Sequence, residues 1–319
     1  MSAPLDAAGI GGVPPRGAAS GDVRSRLSRW SLLRRSGVLA LALAIVLGAW
    51  LVWDNRRLVT TELTLVDARL PAEFSGFRIV QISDLHSRTF GDGNAPLLEA
   101  VRRARPDAIA LTGDLVDRTS PDADIALALV DELVRIAPVH YVTGNHEAAY
   151  RDTPGLLNGL RSRGVDVLRG DVVVHERGGA RIAIAGIDDP AVEAPGEQIP
   201  EQGDSARTAA RLDLVEDRLG AMGQERPFTV LLSHRPELID PYAQAGMDVV
   251  LAGHAHGGQV RIPLLGGLVA PDQGLLPRYT EGIHVREGTA LVISRGIGNS
   301  IAPIRVNDPA ELVVVTLRS

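Results

Sequence analysis

The 319-residue sequence contains no cysteine and no lysine. The first absence removes disulfides, thiolate zinc sites and cysteine nucleophiles together, so any metal must be held by nitrogen and oxygen. The second leaves arginine to carry all 33 cationic side chains against 39 acidic ones. The resulting formal charge of -6 gives no electrostatic footprint for nucleic acid. No G-x-G-x-x-G follows the first strand-like run, so Gly296-Ile297-Gly298 lacks the context of a dinucleotide loop. Internal repeats are also missing. What is present is 45% apolar, enough to build a full core over this length.

Residues 1–23 are rich in Gly, Ala, Pro and Ser without apolar periodicity, and residues 1–35 together read as a disordered, basic N-terminal tail. Arg24, Arg26, Arg29, Arg34 and Arg35 then precede the uncharged run 36–53 (SGVLALALAIVLGAWLVW), which ends at Asp54. That run predicts a single transmembrane helix near the lower length limit, with Trp50 and Trp53 where interfacial aromatics belong. Small residues suited to signal cleavage (Ala40, Ala42, Ala44) lie inside the apolar run, with IVLGAWLVW still to follow, so an uncleaved anchor is expected. Arg34-Arg35 lacks the aromatic of a twin-arginine signal. Five arginines before the span against Arg56 and Arg57 after it predict a cytoplasmic N-terminus and an extracytoplasmic body.

The body, residues 54–319, alternates short β-branched or apolar runs with segments of helical period, which predicts alternating strands and crossover helices. Strands are expected at 77–82, 108–111, 139–142, 180–185, 228–232, 249–251, 291–293 and 312–317. Helices are expected at 95–104, 123–136 and 206–221, the last capped by Asp204 or Ser205. The Pro-, Gly- and acid-rich stretch 189–203 reads as an excursion near strand ends that could form a substrate rim.

Five short motifs follow predicted strands, and their side chains are the oxygen and imidazole donors that hard or borderline divalent ions prefer. Asp84-Leu85-His86 comes first, its two donors expected on the same side of an extended chain. Gly113-Asp114-Leu115-Val116-Asp117-Arg118 follows, with a glycine for the sharp turn and a carboxylate able to bridge two ions. Gly144-Asn145-His146-Glu147 adds an amide oxygen and an imidazole. Ser233-His234 ends another strand, and Gly253-His254-Ala255-His256 offers two more imidazoles. Five of the eight histidines fall in these motifs, a concentration that ordinary turn chemistry does not explain.

This order of motifs resembles the calcineurin-like metallophosphoesterase superfamily over residues 77–319. GHAHGGQVRIP and SRGIGNSIAPIRVNDPAELVVVTL resemble its bacterial YkuE/YaeI-type membrane-associated branch. The resemblance implies a four-layer α/β/β/α sandwich of two mixed sheets flanked by helices. It implies that Asp84, His86 and His256 hold one metal ion and Asn145, His234 and His254 the other, with Asp114 bridging. The ions would be two divalent or trivalent ions drawn from Mn, Fe, Zn or Co, and the nucleophile a hydroxide shared between them, attacking phosphorus in line. The resemblance also implies that His146 protonates the leaving group or stabilises its charge, and that Asp117 orients His146.

The expected activity is therefore hydrolysis of a phosphate ester, foremost a phosphodiester, or of a pyrophosphate, with lipid-linked substrates reasonable at a membrane face. A phosphoprotein phosphatase is the first rival, although Thr119 stands where that branch carries Gly. A non-catalytic binding module is the second, although no ligand position is lost. His140, His175 and His284 lack ligand spacing and read as structural. Asp188 and Asp189 read as turn residues, and Arg118 as a candidate phosphate contact.

Overall fold

A computed structural model describes residues 20–193, 203–223, 225–299 and 304–319, with side chains from Arg34 onward. The expected tail over residues 1–19 and the rim segment 194–202 lie outside the described residues. The chain divides into two units, Met1–Trp50 and Leu51–Ser319.

Helix α1 (Ser20–Asp54) carries the apolar run. It differs from expectation at its start, because residues 20–35, assigned to an irregular tail, continue the same helix backwards. No proline interrupts the chain between Ser20 and Asp54, and its arginines and leucines are good helix formers. Within Arg34–Asp54 an 18-residue window has a mean hydropathy of 2.2, and Val38, Leu41 and Ile45 are exposed. The helix is long and apolar enough to cross a bilayer.

The first half of the body runs β1 (Leu58–Val66), β2 (Arg78–Ile82), α2 (Ala95–Ala104), β3 (Ala108–Thr112), α3 (Ala123–Leu133), β4 (Val139–Val142), α4 (Asn145–Ala149), α5 (Thr153–Ser162) and β5 (Asp166–Val167). The second half runs β6 (Asp171–Arg177), β7 (Ala180–Gly186), α6 (Gly203–Ala221), β8 (Phe228–Leu232), α7 (Ile239–Gln244) and β9 (Val249–Ala252). Four two-residue strands follow: β10 (Arg261–Ile262), β11 (Gly266–Gly267), β12 (Val269–Ala270) and β13 (Gly274–Leu275). The chain closes with β14 (Gly282–Arg286), β15 (Thr289–Ile293) and β16 (Ala310–Arg318). The first sheet has the order β1-β16-β2-β3-β4-β5 and the second β14-β15-β9-β8-β7-β6. Both are mixed: β2 to β5 and β7, β8, β9 and β15 are parallel, while β16 meets β2, β6 meets β7 and β14 meets β15 antiparallel.

Strand periodicity explains the layering. In β2, Ile79 enters the core between the sheets while Val80 and Ile82 face the layer of α2, α3 and α5. In β9, Val249 and Leu251 enter the inter-sheet core while Val250 and Ala252 face α6 and α7. Strands buried on both faces read as continuous apolar runs, which is why these central strands were legible. The result is the expected helix, sheet, sheet, helix sandwich.

Local chemistry sets the helix ends. Asp122 caps α3 by accepting from the N–H groups of Asp124 and Ile125. The helix stops at Leu133, short of the expected residue 136, because the chain must turn extended before Pro138 to enter β4. Helix α6 begins at Gly203, which places Asp204 and Ser205 inside its first turn.

Candidate metal centre

The donor-bearing residues lie just beyond the C-terminal ends of β2, β3, β4, β8 and β9. Asp84 and His86 are not in extended chain: their φ angles of 55° and 49° are left-handed, as are those of Asp114 (54°), His254 (66°) and His256 (47°). Such backbone costs free energy in non-glycine residues and persists where its surroundings over-determine it. Those surroundings are visible. Asp84 and His86 donate their N–H groups to the carbonyls of Gly113 and Asp114, and Leu85 between them is buried in the helix-side core. The donors converge because consecutive loops are zipped together, not because the strand continues.

Glycines make the close approach possible. A Cβ on Gly113, whose φ is 91°, would stand 2.6 Å from His234 Nδ1. A Cβ on Gly253 would stand 2.3 Å from Asp84 Oδ2.

The structure brings all seven expected ligands into one neighbourhood. Donor atoms of Asp84, His86 and His256, of His86, Asp114 and His146, and of Asp114, His234 and His254 form three groups, each within 4.8 Å. His86 Nε2 faces His256 Nε2 at 3.1 Å, and Asp84 Oδ1 lies 3.3 Å from His256 Nε2. Asp114 Oδ2 stands 3.7 Å from His86 Nε2 and 3.3 Å from His234 Nε2, between the two halves. Asn145, at the start of α4, turns a buried Oδ1 that has no hydrogen-bond partner, and it lines the same cavity.

The residues present fit divalent ions. His234 Nδ1 lies 2.7 Å from the Thr112 carbonyl; donating there leaves Nε2, which is buried and without a hydrogen-bond partner, as the lone-pair nitrogen. His254 Nε2 is 3.0 Å from Asp272 Oδ2, which frees Nδ1 for coordination. The cluster also requires positive charge. Burial opposes ionisation of Asp84 and Asp114, yet His256 and His86 at the first and His234 at the second hold both carboxyls below their usual range. Burial likewise opposes charge on His86 and His234, yet Asp84 and Asp114 draw both imidazoles upward. Metal ions would supply that charge without protons. His256 goes the other way: burial is the main cause, and His86 and Arg305 keep it far below its usual range against Asp84.

His146 is tied to the cluster through its backbone, which donates to Asp114 Oδ1 at 2.8 Å. Its Nδ1 accepts from the Arg118 N–H at 3.0 Å, so the neutral ring carries its proton on Nε2, the atom 4.0 Å from Asp114 Oδ2. Asp117, expected to orient His146, faces the same ring nitrogen. Asp117 Oδ2 lies 3.6 Å from His146 Nδ1 and 3.5 Å from His86 Nδ1, while Oδ1 accepts from the backbone of Thr119 and Ser120.

Several residues around the centre carry roles that the motifs did not assign. Glu147 is buried and accepts from the N–H groups of Gly144 (2.6 Å), Asp114 (2.8 Å) and Val116 (3.2 Å), tying two ligand loops together. Its place three residues after the N-cap Gly144 is that of the Glu in a capping box, the signal that could have suggested its bond to the Gly144 N–H. Burial and Asp114 push its carboxyl up to about 7 against those three donors. Arg235 forms a forked pair with Asp189 (2.7 and 3.1 Å) and reaches Asp204 at 2.7 Å and Asp272 at 3.1 Å. Asp189 thus braces the cavity wall. Asp188 instead binds Thr143 and Arg169. A cavity of about 450 Å³ opens over the donors, with Arg118, Ala191, Pro271 and Asp272 on its walls. His140 and His175 lie apart, Nε2 to Nε2 at 3.0 Å, on β4 and β6.

Paired buried carboxylates among imidazoles at the strand ends of a four-layer sandwich define a metal-dependent phosphoric ester hydrolase. A family model described as calcineurin-like phosphoesterase matches residues 77–258. The metallophosphoesterase YkuE of Bacillus subtilis is 31% identical over 268 residues, covering 82% of this chain and 85% of that protein. A transmembrane protein with metallophosphoesterase domain from Bos taurus is 29% identical over 262 residues, covering 79% of this chain and 55% of that protein. A dimetal phosphatase from Danio rerio superposes with a TM-score of 0.45 at 15% identity, covering 77% of this chain and 94% of that one. The chain belongs to the calcineurin-like phosphoesterase family.

Proposed function

We propose that this protein is a membrane-anchored phosphodiesterase using two divalent ions, with an ester or pyrophosphate presented at a membrane face as its substrate. The observation that carries the reading is the position of Asp114 Oδ2 between His86 Nε2 and His234 Nε2, at 3.7 and 3.3 Å. Asp84, His86 and His256 would hold one ion, and Asn145, His234 and His254 the other, with Asp114 shared. Mn, Fe, Zn and Co all suit this mixture of nitrogen and oxygen. Two such ions, when bound, activate water and brace the attacking and leaving oxygens of displacement at phosphorus.

The chain's own residues then act on the ester. His146 holds a proton at Nε2, facing Asp114, where it can meet the leaving-group oxygen; burial keeps this ring neutral more readily than an exposed histidine. Arg118 lines the cavity and offers its guanidinium to the phosphoryl oxygens. The apolar helix supports a lipid-linked substrate, and the arginine excess before it supports a body outside the cytoplasm.

The test is turnover of an aryl phosphodiester against the matching monoester by the purified full chain with manganese. A fully metallated protein that turns over neither contradicts the reading. Faster turnover of phosphopeptides would make it a phosphoprotein phosphatase instead. A topology reporter fused at Ser319 reads the orientation.

A further inference from the structure

Among the described residues of the body, exposed large apolar side chains concentrate in one place. Ile262, Leu264, Leu265, Val269, Leu275 and Leu276 fall within 15 residues of chain, and Leu264 is fully exposed. Scattered surface leucines need no explanation, but a concentration of this kind marks an interaction surface. These residues sit on two small hairpins, β10–β11 and β12–β13. Leu268 joins the hairpins, donating to Val260 O and accepting from Leu276 N, both at 2.9 Å. Leu264 and Leu276 have φ angles of 71° and 51°, an unfavourable backbone for branched residues that here supports exposed side chains rather than core ones.

The inner side of the same module is rooted in the metal centre. Gly258 packs so closely on Gly267 that a Cβ there would stand 2.4 Å from its Cα. Ala270 is buried, Pro271 and Asp272 line the cavity, and Asp272 meets His254. The module that carries the leucines on its outer side thus supplies part of the cavity wall from its inner side.

We infer that this double hairpin is a membrane-docking element that dips its leucines into the lipid surface and presents the cavity to phosphoesters held there. The inference rests on the reading of α1 as an anchor. Three observations favour a bilayer over a protein partner. The apolar helix ends at Asp54 and β1 starts at Leu58, so a three-residue link keeps the body at the bilayer. Leu264 and Leu265 occupy the turn of the β10–β11 hairpin, a position suited to insertion into a fluid apolar phase. Directly after Leu275-Leu276-Pro277 comes Arg278, exposed, stacked on the Tyr279 ring at 5.2 Å and without a carboxylate partner among the described residues. An apolar tip followed by a free cation and an aromatic matches the order of layers in an anionic lipid interface.

Because the chain has no cysteine, Leu264→Cys creates a unique site for an environment-sensitive fluorophore, and Val66→Cys, on exposed β1, provides a control. The full chain would be reconstituted in phosphatidylcholine vesicles containing phosphatidylglycerol. The expected result is blue-shifted emission at 264, quenched by lipid-borne nitroxides, with emission at 66 remaining accessible to aqueous iodide. Equal access of iodide to both labels overturns docking. A blue shift without nitroxide quenching means the leucines are covered by protein, and overturns it too. Flotation after an alkaline wash reads the anchor separately, since α1 is intact in every variant; a chain that stays with the vesicles but keeps a wet label refutes the hairpins alone. The double variant Leu264→Asp, Leu275→Asp is expected to lose about a hundredfold or more in kcat/KM on a vesicle-embedded phosphodiester, the scale of withdrawing two leucines from an apolar phase. Turnover of a soluble aryl diester should be unchanged in the same variant, and an equal loss on both substrates would contradict docking.

Discussion

Asp272 Oδ2 lies 3.0 Å from His254 Nε2 and 3.1 Å from Arg235 Nη1, so a carboxylate from the second small hairpin fixes the ring of a motif histidine and is itself held by a buried arginine. The hydrogen bond to His254 is the main reason the Asp272 carboxyl lies below its usual range. Outer partners of this kind orient a ligand and set its tautomer. Asp272→Ala is expected to weaken metal affinity roughly 10- to 100-fold, and Asp272→Asn less, since the amide oxygen still accepts from Nε2–H. Calorimetric metal titration of the three proteins checks this; equal affinities would refute the role.

Glu147 answers three buried backbone donors at once. Leaving one such group unmet costs about 1–3 kcal/mol, so Glu147→Ala is expected to lower stability by about 3 kcal/mol or more. Denaturant unfolding of the metal-free protein measures it directly. A loss under about 1 kcal/mol would mean that water replaces the carboxylate without penalty.

His146 is built into the cluster by its backbone, and its ring is not needed to complete either proposed set of ligands. His146→Asn is expected to reduce kcat by about 10²- to 10⁴-fold, the usual worth of a positioned proton donor. Metal content by elemental analysis should stay at the wild-type value. Loss of metal alongside activity would make His146 a ligand.

The contrast between these residues indicates what the sequence reveals. The positions of Asp84, His86, Asp114, His234, His254 and His256 were legible because each sits two to four residues beyond a strand that is buried on both faces and mostly apolar. Asp272 was not, being 18 residues from His254 and brought back by a Gly- and Pro-rich double hairpin with no periodicity. Arg305 reaches His256 Nδ1 at 3.2 Å from a position 49 residues away. Strand β1 was likewise hidden, since its burial alternates weakly and its partner is the far C-terminal β16. The left-handed turns at Asp84 and His86 were missed because the D-x-H spacing also suits an extended chain, and only the pairing with the Gly113-Asp114 loop decides between them.

His140 and His175 join the two sheets through facing Nε2 atoms, with Asp166 Oδ2 3.1 Å from His140 Nδ1 and Phe77 edge-on to His175. Burial, then His140, pushes His175 from its ordinary 6.5 down to about 4. The folded state therefore binds this proton less readily than the unfolded one. Its contribution to stability is full above pH 6.5 and is lost as pH falls through 6.5 toward about 4. His175→Gln is expected to flatten that part of the stability profile, read as denaturant midpoints. Parallel profiles for variant and wild type would contradict the assignment.

The most direct measurement is metal stoichiometry of the purified full chain and of Asp114→Asn, paired with aryl phosphodiester turnover on the same samples. The expected result is two ions per chain in the wild type, activity that disappears with chelation and returns with manganese, and both less metal and little turnover in Asp114→Asn. Turnover that survives complete removal of metal, or an Asp114→Asn protein that keeps two ions and full activity, would contradict a shared binuclear centre.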